Sequence, residues 1–152
     1  MSRTQAFAIF GFAAALLFGY FAWEWYLSPE ARVKRALESA AAAAEEADVE
    51  GFVSSFSSEY GDFANRNRSS LEALVRESFG RVDRLNVTLK SMDVEVEGGE
   101  ALTRLDVVVV AVRGEERYVV VGTPFEGEKL EVGMRREDGG WKIRRVDRRG
   151  EP

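Results

Sequence analysis

Tyr60 and Asp62 are the residues of this sequence whose types and spacing best suit acid–base chemistry. A carboxylate in an apolar pocket can have its pKa raised towards neutrality, and it then serves as a general base beside a phenol that donates a hydrogen bond. The competing interpretation is structural, with Tyr60 filling the mouth of the core and Asp62 capping a turn. The structural interpretation is favoured, so these two residues are candidates and not assigned catalytic groups.

Aromatic residues in the same region and near the C-terminus could line a pocket for an apolar ligand. Small-molecule sites are mostly apolar clefts with a few well-placed polar groups. The alternative is that the rings fill the core and leave no cavity, which is again the favoured interpretation. The candidate pocket residues are Phe56, Tyr60, Phe63, Phe125 and Trp141.

Several classes of chemistry are excluded by composition. The sequence has no Cys and no His, which removes disulfides, thiolate nucleophiles and His-dependent mechanisms. Asp93, Glu95 and Glu97 alternate along one predicted strand, but carboxylates ~7 Å apart on a strand do not converge on one ion. We therefore expect no metal and no cofactor. The net charge of -5 also argues against nucleic acid as a partner.

An apolar run without a single charge extends from Ala6 to Trp23. As a helix it would span roughly 27 Å, close to the ~30 Å hydrocarbon thickness of a bilayer. The run predicts an uncleaved single-span membrane anchor, and a cleaved signal peptide or a buried core helix are the alternatives. Aromatic residues where charge resumes suit the membrane interface. They are Tyr20, Trp23, Trp25 and Tyr26.

The predicted anchor sets the predicted domain organisation and location. Residues 1–27 would form an N-terminal stub and the transmembrane helix, residues 28–148 one domain with a single core, and residues 149–152 a tail. The flank before the span is too short to be anything but a cytoplasmic stub, although the Lys/Arg count near the span points the other way. We expect the domain to lie outside the cytoplasm.

Three helices are predicted at the start of the domain. Ser28 and Pro29 have the residue types of a helix N-cap and first turn, and that helix should run to about Ala47. Asp48 can cap a second, short helix. A polar loop follows over residues 57–68, and Ser69 is predicted to cap a third helix.

From Arg81 onwards the hydrophobic pattern has the period of two that is typical of strands. A slip of one residue near Lys90 and Ser91 predicts a bulge in a long, bent strand. The VVVVAV segment at 107–112 predicts a strand that is buried on both faces or lies at an oligomer contact. The fold class is therefore α+β, with three N-terminal helices packed on a curved, cone-like antiparallel sheet of about four to five strands, preceded by one transmembrane helix.

The order of these elements, the stretch from Asp48 to Asp62 and the closing hairpin at 137–143 resemble the nuclear transport factor 2-like superfamily, also called SnoaL-like or cystatin-like. The resemblance covers roughly Pro29 to Asp147. It implies a cone-shaped pocket between helices and sheet, in a fold that hosts isomerases, cyclases, dehydratases and non-catalytic binding or scaffold domains. Its catalytic members place Tyr, Asp and often His in the pocket. This sequence has no His, so no catalytic role is carried over.

Two functions follow as expectations. The first is a membrane-anchored, non-catalytic binding or scaffold domain, whose partners would be the lipid bilayer, a protein or small apolar ligand, and a second copy bound through the open face of the sheet. The alternative is an enzyme of the isomerase or dehydratase type that acts on a small apolar ligand in the cone.

Overall fold

The computed structural model describes residues 3–150, with side chains described for residues 11–24 and 26–150. The described residues form four helices, which are α1 (Arg3–Leu27), α2 (Pro29–Glu45), α3 (Val49–Ser54) and α4 (Arg68–Gly80). The six strands are β1 (Phe56–Asp62), β2 (Arg84–Glu97), β3 (Glu100–Arg113), β4 (Glu116–Val121), β5 (Glu128–Glu137) and β6 (Gly140–Arg148).

The helices of the domain begin close to where the sequence predicts them. Ser28 caps α2, since its hydroxyl accepts a hydrogen bond from the Ala31 backbone N–H at 3.2 Å. Asp48 caps α3 in the same way. The predicted cap of α4 at Ser69 is wrong, because the cap is Asn67, whose side chain accepts from the Ser70 N–H at 2.9 Å.

The strands form one open sheet in the order β1-β6-β5-β3-β2, with β4 paired to β3 beside β5. The α+β class is confirmed, but the count of about four to five strands is too low. The missed strand is β1, which falls largely in the predicted polar loop and pairs in parallel with β6. Its buried side chains Phe56 and Tyr60 are separated by polar residues, so the segment shows no strand pattern in the sequence.

The predicted bulge in the long, bent strand is confirmed, because β2 shows a register shift between Leu89 and Ser91. A second shift occurs between Gly133 and Met134 in the pairing of β5 with β6. Extra residues of this kind bend a strand and increase its twist, so the sheet curves around the helices.

The core lies between the sheet and helices α2 and α4. Alternate residues of β3, including Ala101, Thr103 and Leu105, point towards these helices and are buried. We call this side of the sheet the helix-facing side and the opposite side the open face. The buried core cluster consists of Val33, Leu37, Phe56, Tyr60, Leu71, Val75, Ala101, Leu105, Val132, Met134, Trp141 and Ile143.

Helix α1 requires a correction of the predicted membrane anchor. Within the residues that the structure describes, no helix has both the length and the apolar character needed to cross a membrane. The predicted single-pass localisation, with a transmembrane helix and the domain outside the cytoplasm, is therefore wrong. The bilayer as a partner was expected because of this helix and stays a prediction.

The aromatic residues predicted at a membrane interface lie near the end of α1. Tyr20, Trp23 and Tyr26 are exposed, and the side chain of Trp25 lies outside the described part. Tyr26 also carries the Arg35 guanidinium 4.0 Å from its ring centroid, which joins α1 to α2. The predicted interface role of these residues depended on the membrane span.

Candidate functional site

Tyr60 and Asp62 lie side by side at the end of β1, as their spacing suggests. The Tyr60 ring is buried in the core, and its hydroxyl donates a hydrogen bond to Asp62 Oδ2 over 3.0 Å. The Asp62 side chain is 2% exposed and forms an ion pair with Arg66 Nε at 2.9 Å. Arg66 lies in the turn between β1 and α4 and was not singled out in the sequence, where only its spacing of four residues from Asp62 could have indicated it.

Each carboxylate oxygen of Asp62 accepts two hydrogen bonds. Oδ1 accepts from the backbone N–H groups of Ala64 and Arg66, and Oδ2 accepts from Tyr60 and from Arg66 Nε. Burial alone would raise the pKa of this carboxyl, but the hydrogen bonds from Arg66, Tyr60 and Ala64 outweigh burial and lower it. The Asp62 carboxylate is therefore ionised, and its lone pairs are all used in hydrogen bonds, as in a residue that caps a turn.

The pKa of Tyr60 moves in the opposite direction. Burial of the ring raises it, and the hydrogen bond to Asp62 and the negative charge of Asp62 raise it further. The phenol therefore stays protonated at physiological pH, and its proton is already shared with Asp62. This pair can fix the position of the Tyr60 ring, but it does not offer a free base.

The candidate pocket residues divide into two groups. Phe56, Tyr60 and Trp141 are brought together in the core and are at most 9% exposed. Phe63 and Phe125 are 44% and 88% exposed and lie outside the core cluster. Phe125 lies at the tip of the turn between β4 and β5. The residue type alone does not show whether such a ring is exposed or buried.

Thr103 is a polar residue of the helix-facing side that the sequence analysis missed. It is 0% exposed, and its hydroxyl has no hydrogen-bond partner within the described residues. A buried hydroxyl without a partner costs roughly 1–3 kcal/mol. Its only signal in the sequence is that Thr103 interrupts the inward-pointing apolar positions of β3, which are Ala101, Leu105 and Val107.

Thr103 lies beside the less well covered part of the helix-facing side. It pairs directly with Val94 on β2 and Val132 on β5. Val132 is 2% exposed, whereas Val94 and its neighbours Met92 and Val96 are only partly buried against the core. The unpartnered hydroxyl is therefore next to an apolar strip that the helices leave partly open.

Two of the acidic residues on β2, Asp93 and Glu95, form ion pairs with an arginine of the neighbouring strand β3. Arg104 Nη1 lies 3.5 Å from Asp93 and 3.2 Å from Glu95, and the hydrogen bond to Glu95 raises the pKa of the guanidinium. Over residues 3–150 as described, the structure contains no group of three or more acidic side chains placed to hold a metal ion. Asp93 and Glu95 are therefore solvent-exposed side chains that pair with Arg104.

The comparisons with known proteins agree with this architecture. The sequence profile of the SnoaL-like domain matches residues 25–147, and the chain belongs to this family. The resemblance to the SnoaL-like, cystatin-like fold is thus confirmed. A search of curated proteins finds no significant match.

The three solved structures described next have a similar fold but are only 14–18% identical to this chain, so they bear on the fold alone. A function-unknown protein from Mycobacterium tuberculosis has a TM-score of 0.66 at 18% identity, covering 79% of this chain and 74% of its own. A candidate scytalone dehydratase from Novosphingobium aromaticivorans has a TM-score of 0.65 at 14% identity, with 76% and 79% covered. A candidate dehydratase of the NTF2-like family from Streptomyces avermitilis has a TM-score of 0.62 at 16% identity, with 78% and 92% covered.

Proposed function

We propose that this domain acts on a small, largely apolar molecule bound on the helix-facing side of the sheet, in a reaction of the dehydratase or isomerase type. The observation that carries the proposal is the unpartnered, buried hydroxyl of Thr103 beside the partly open strip of Met92, Val94 and Val96. Family membership supports it, as do the two structural neighbours described as candidate dehydratases. The membrane-anchored scaffold predicted first has no comparable support.

The ligand chemistry follows from the surroundings of Thr103. The strip offers only apolar side chains, so a ligand gains mainly from burying apolar surface against them. The Thr103 hydroxyl can donate one hydrogen bond and accept others. A flat apolar molecule with one hydroxyl or carbonyl group would satisfy it. Thr103 is fully covered, so a ligand reaches this hydroxyl only if the neighbouring side chains move.

A second candidate function is non-catalytic binding of the same class of ligand. The saturation of Asp62 favours it, since all its observed hydrogen bonds hold the turn and the core, and a general base needs a free lone pair aimed at the substrate. The two candidates share one ligand site and differ in whether the bound molecule is converted.

The experiment uses 2-naphthol and 1-tetralone as probes, because each is a bicyclic apolar molecule with one polar group. Titration calorimetry with the full chain should detect binding of at least one probe. Thr103→Val keeps the shape of the side chain and removes the hydroxyl, so we expect roughly fivefold weaker binding or more, which corresponds to about 1 kcal/mol. The matched control is Thr88→Val on the open face, which should leave affinity unchanged.

Turnover is measured separately with a bicyclic β-hydroxy ketone, which loses water to form a conjugated ketone with a new ultraviolet absorbance. Faster water loss than in buffer, reduced in Thr103→Val, supports the enzyme. Probe binding without turnover supports the second candidate. Equal affinity of wild type and Thr103→Val for both probes, or no binding by either, refutes the site.

A further inference from the structure

A cavity of about 320 Å³ lies on the open face of the sheet, lined by polar side chains from three strands and from the residue that follows β6. Ser91 on β2 pairs with Asp106 on β3, and Asp106 pairs with Lys129 on β5. Arg149 donates its backbone N–H to the Lys129 carbonyl at 2.8 Å. Residues paired across neighbouring strands project to the same side, so a hydroxyl, a carboxylate and two cationic groups meet here. We call this space the open-face cavity.

These four side chains have no partner within the chain as described. Over residues 3–150, the structure shows no hydrogen bond and no ion pair to the side chains of Ser91, Asp106, Lys129 or Arg149. Polar groups grouped in one concave space and left without partners are typical of a site that is completed by a ligand.

The Asp106 carboxylate is held in place by the turn between β4 and β5. Its Oδ1 is buried and accepts no hydrogen bond from the described residues. A Cβ at Gly127 would lie 1.6 Å from this oxygen, so the glycine leaves the room that the carboxylate occupies. A buried carboxylate oxygen is costly without a donor, which points to a donor supplied from outside the chain.

The other two charged residues of the cavity neutralise each other. Arg104 Nη1 lies 3.5 Å from Asp93 and 3.2 Å from Glu95, so this guanidinium is already paired within the sheet. The charges left for a ligand are therefore one carboxylate, on Asp106, and two cationic groups, on Lys129 and Arg149.

We propose that the open-face cavity binds a free acidic amino acid of the glutamate or aspartate type. The ammonium group of such a ligand pairs with Asp106, and its two carboxylates pair with Lys129 and Arg149. The guanidinium of Arg149 can hold a carboxylate through two parallel hydrogen bonds. The Ser91 hydroxyl can donate one hydrogen bond to the ligand and accept others.

Ligands with one kind of charge fit this arrangement less well. A simple anion complements Lys129 and Arg149 but is repelled by Asp106, and a simple cation has the opposite fault. Neighbouring strands are ~4.8 Å apart, so the ligand needs opposite charges within a few ångströms of each other. An acidic amino acid has this spacing, and its excess of one negative group matches the excess of one positive group in the cavity.

The exposure of the cationic groups sets the expected affinity. Lys129 and Arg149 are exposed, and exposed ion pairs are weak and screened by salt. We expect a dissociation constant on the order of 1 mM at about 0.05 M salt, rising several-fold at about 0.5 M salt.

Nuclear magnetic resonance titration of the ¹⁵N-labelled full chain with L-glutamate tests the proposal. The backbone amide signals of Ser91, Asp106, Lys129 and Arg149 should shift with one saturable binding curve. Glutarate lacks the ammonium group of glutamate, and γ-aminobutyrate lacks its α-carboxylate. Each should bind at least about fivefold more weakly than L-glutamate, because each leaves one charged side chain of the cavity without a partner.

Substitutions identify which side chain meets which group of the ligand. Lys129→Gln and Arg149→Gln should each weaken L-glutamate binding at least about fivefold. The matched controls are Lys34→Gln on α2 and Arg117→Gln on β4, which remove the same charges from exposed positions elsewhere and should leave the affinity unchanged.

Asp106→Asn separates a direct contact from a structural effect. This variant should weaken L-glutamate binding at least about fivefold but should not weaken glutarate binding, since glutarate has no ammonium group to lose its partner. Equal weakening of both ligands would mean that Asp106 only supports the fold, and it would overturn the assignment.

Three further results would overturn the proposal. The first is the absence of saturable shifts at these residues up to about 20 mM L-glutamate, a concentration well above the expected dissociation constant. The second is equal affinity of the wild type for L-glutamate and glutarate, which would show a site for anions in general. The third is equal loss of affinity in Lys34→Gln and Lys129→Gln, which would show a non-specific charge effect.

Discussion

Replacement of Asp62 by asparagine tests whether this carboxylate is structural or catalytic. Asp62→Asn removes the charge opposite Arg66 and places an NH₂ group against existing donors, either the Ala64 and Arg66 N–H groups or Tyr60 and Arg66 Nε. Breaking a buried ion pair by removing one partner costs about 3–5 kcal/mol, and an unmet buried hydrogen bond about 1–3 kcal/mol. Because Arg66 is 34% exposed and can turn to solvent, we expect a loss of roughly 3 kcal/mol.

The assay is thermal unfolding of wild type and variant at pH 7. At ~2–4 °C per kcal/mol for a chain of this length, the melting temperature should fall by roughly 6–12 °C. Asp93→Asn is the matched control, since that carboxylate is 73% exposed and its replacement should change stability by less than about 0.5 kcal/mol. An unchanged melting temperature in Asp62→Asn, together with loss of turnover, would refute the structural assignment and identify Asp62 as a catalytic group.

The lowered pKa of Asp62 adds a pH dependence with a definite sign. In the unfolded chain an aspartate titrates near ~3.9, and in the folded protein Asp62 titrates lower. Its stabilising contribution is therefore fully present above pH ~4 and is lost as the pH falls through the folded pKa. Denaturant unfolding between pH 7 and 2 should show this loss in wild type, and Asp62→Asn should lack that component.

Four further substitutions test the packing around the sheet by denaturant unfolding. Ser57→Ala should cost about 1–2 kcal/mol, because this 1% exposed hydroxyl donates to Glu137 at 2.8 Å; a neutral result would mean that the bond contributes nothing. Gly127→Ala should cost about 1–3 kcal/mol, since a Cβ there would lie 1.6 Å from Asp106 Oδ1, and an unchanged stability would show that Asp106 moves freely. Trp141→Ala should cost about 3–5 kcal/mol and Phe125→Ala less than about 0.5 kcal/mol; equal effects would contradict their placement.

The sequence predicted those parts of the fold that follow from local pattern. Ser28 and Asp48 have capping side chains next to periodic apolar residues, and the slip at Lys90 and Ser91 is visible as a change of phase, so helix starts and the β2 bulge could be located. β1 could not be found because it is stabilised by parallel pairing with β6, about 85 residues away, and not by its own alternation.

The candidate site was only partly accessible to the same reasoning. Tyr60 and Asp62 were recognised as a pair, but the sequence could not show that Arg66 and two backbone N–H groups saturate the carboxylate. Thr103 was missed because a threonine is unremarkable in a strand, and its interest lies in the absence of a partner, which is a property of the packed core. Site residues of this kind are defined by their surroundings and not by their type.

Thr103, on the helix-facing side of the sheet, is the residue on which the proposed ligand site depends. The Asp62 carboxylate accepts four hydrogen bonds, whereas the Thr103 hydroxyl has no partner within the described residues. Native proteins retain such a buried group mainly where a ligand, water or function compensates for it. If Thr103→Val stabilises the chain by about 1 kcal/mol and also weakens probe binding, the hydroxyl is maintained at a cost to stability for the sake of the ligand. If the variant is stabilised with no effect on any probe, the hydroxyl is a packing defect and the ligand site lies elsewhere.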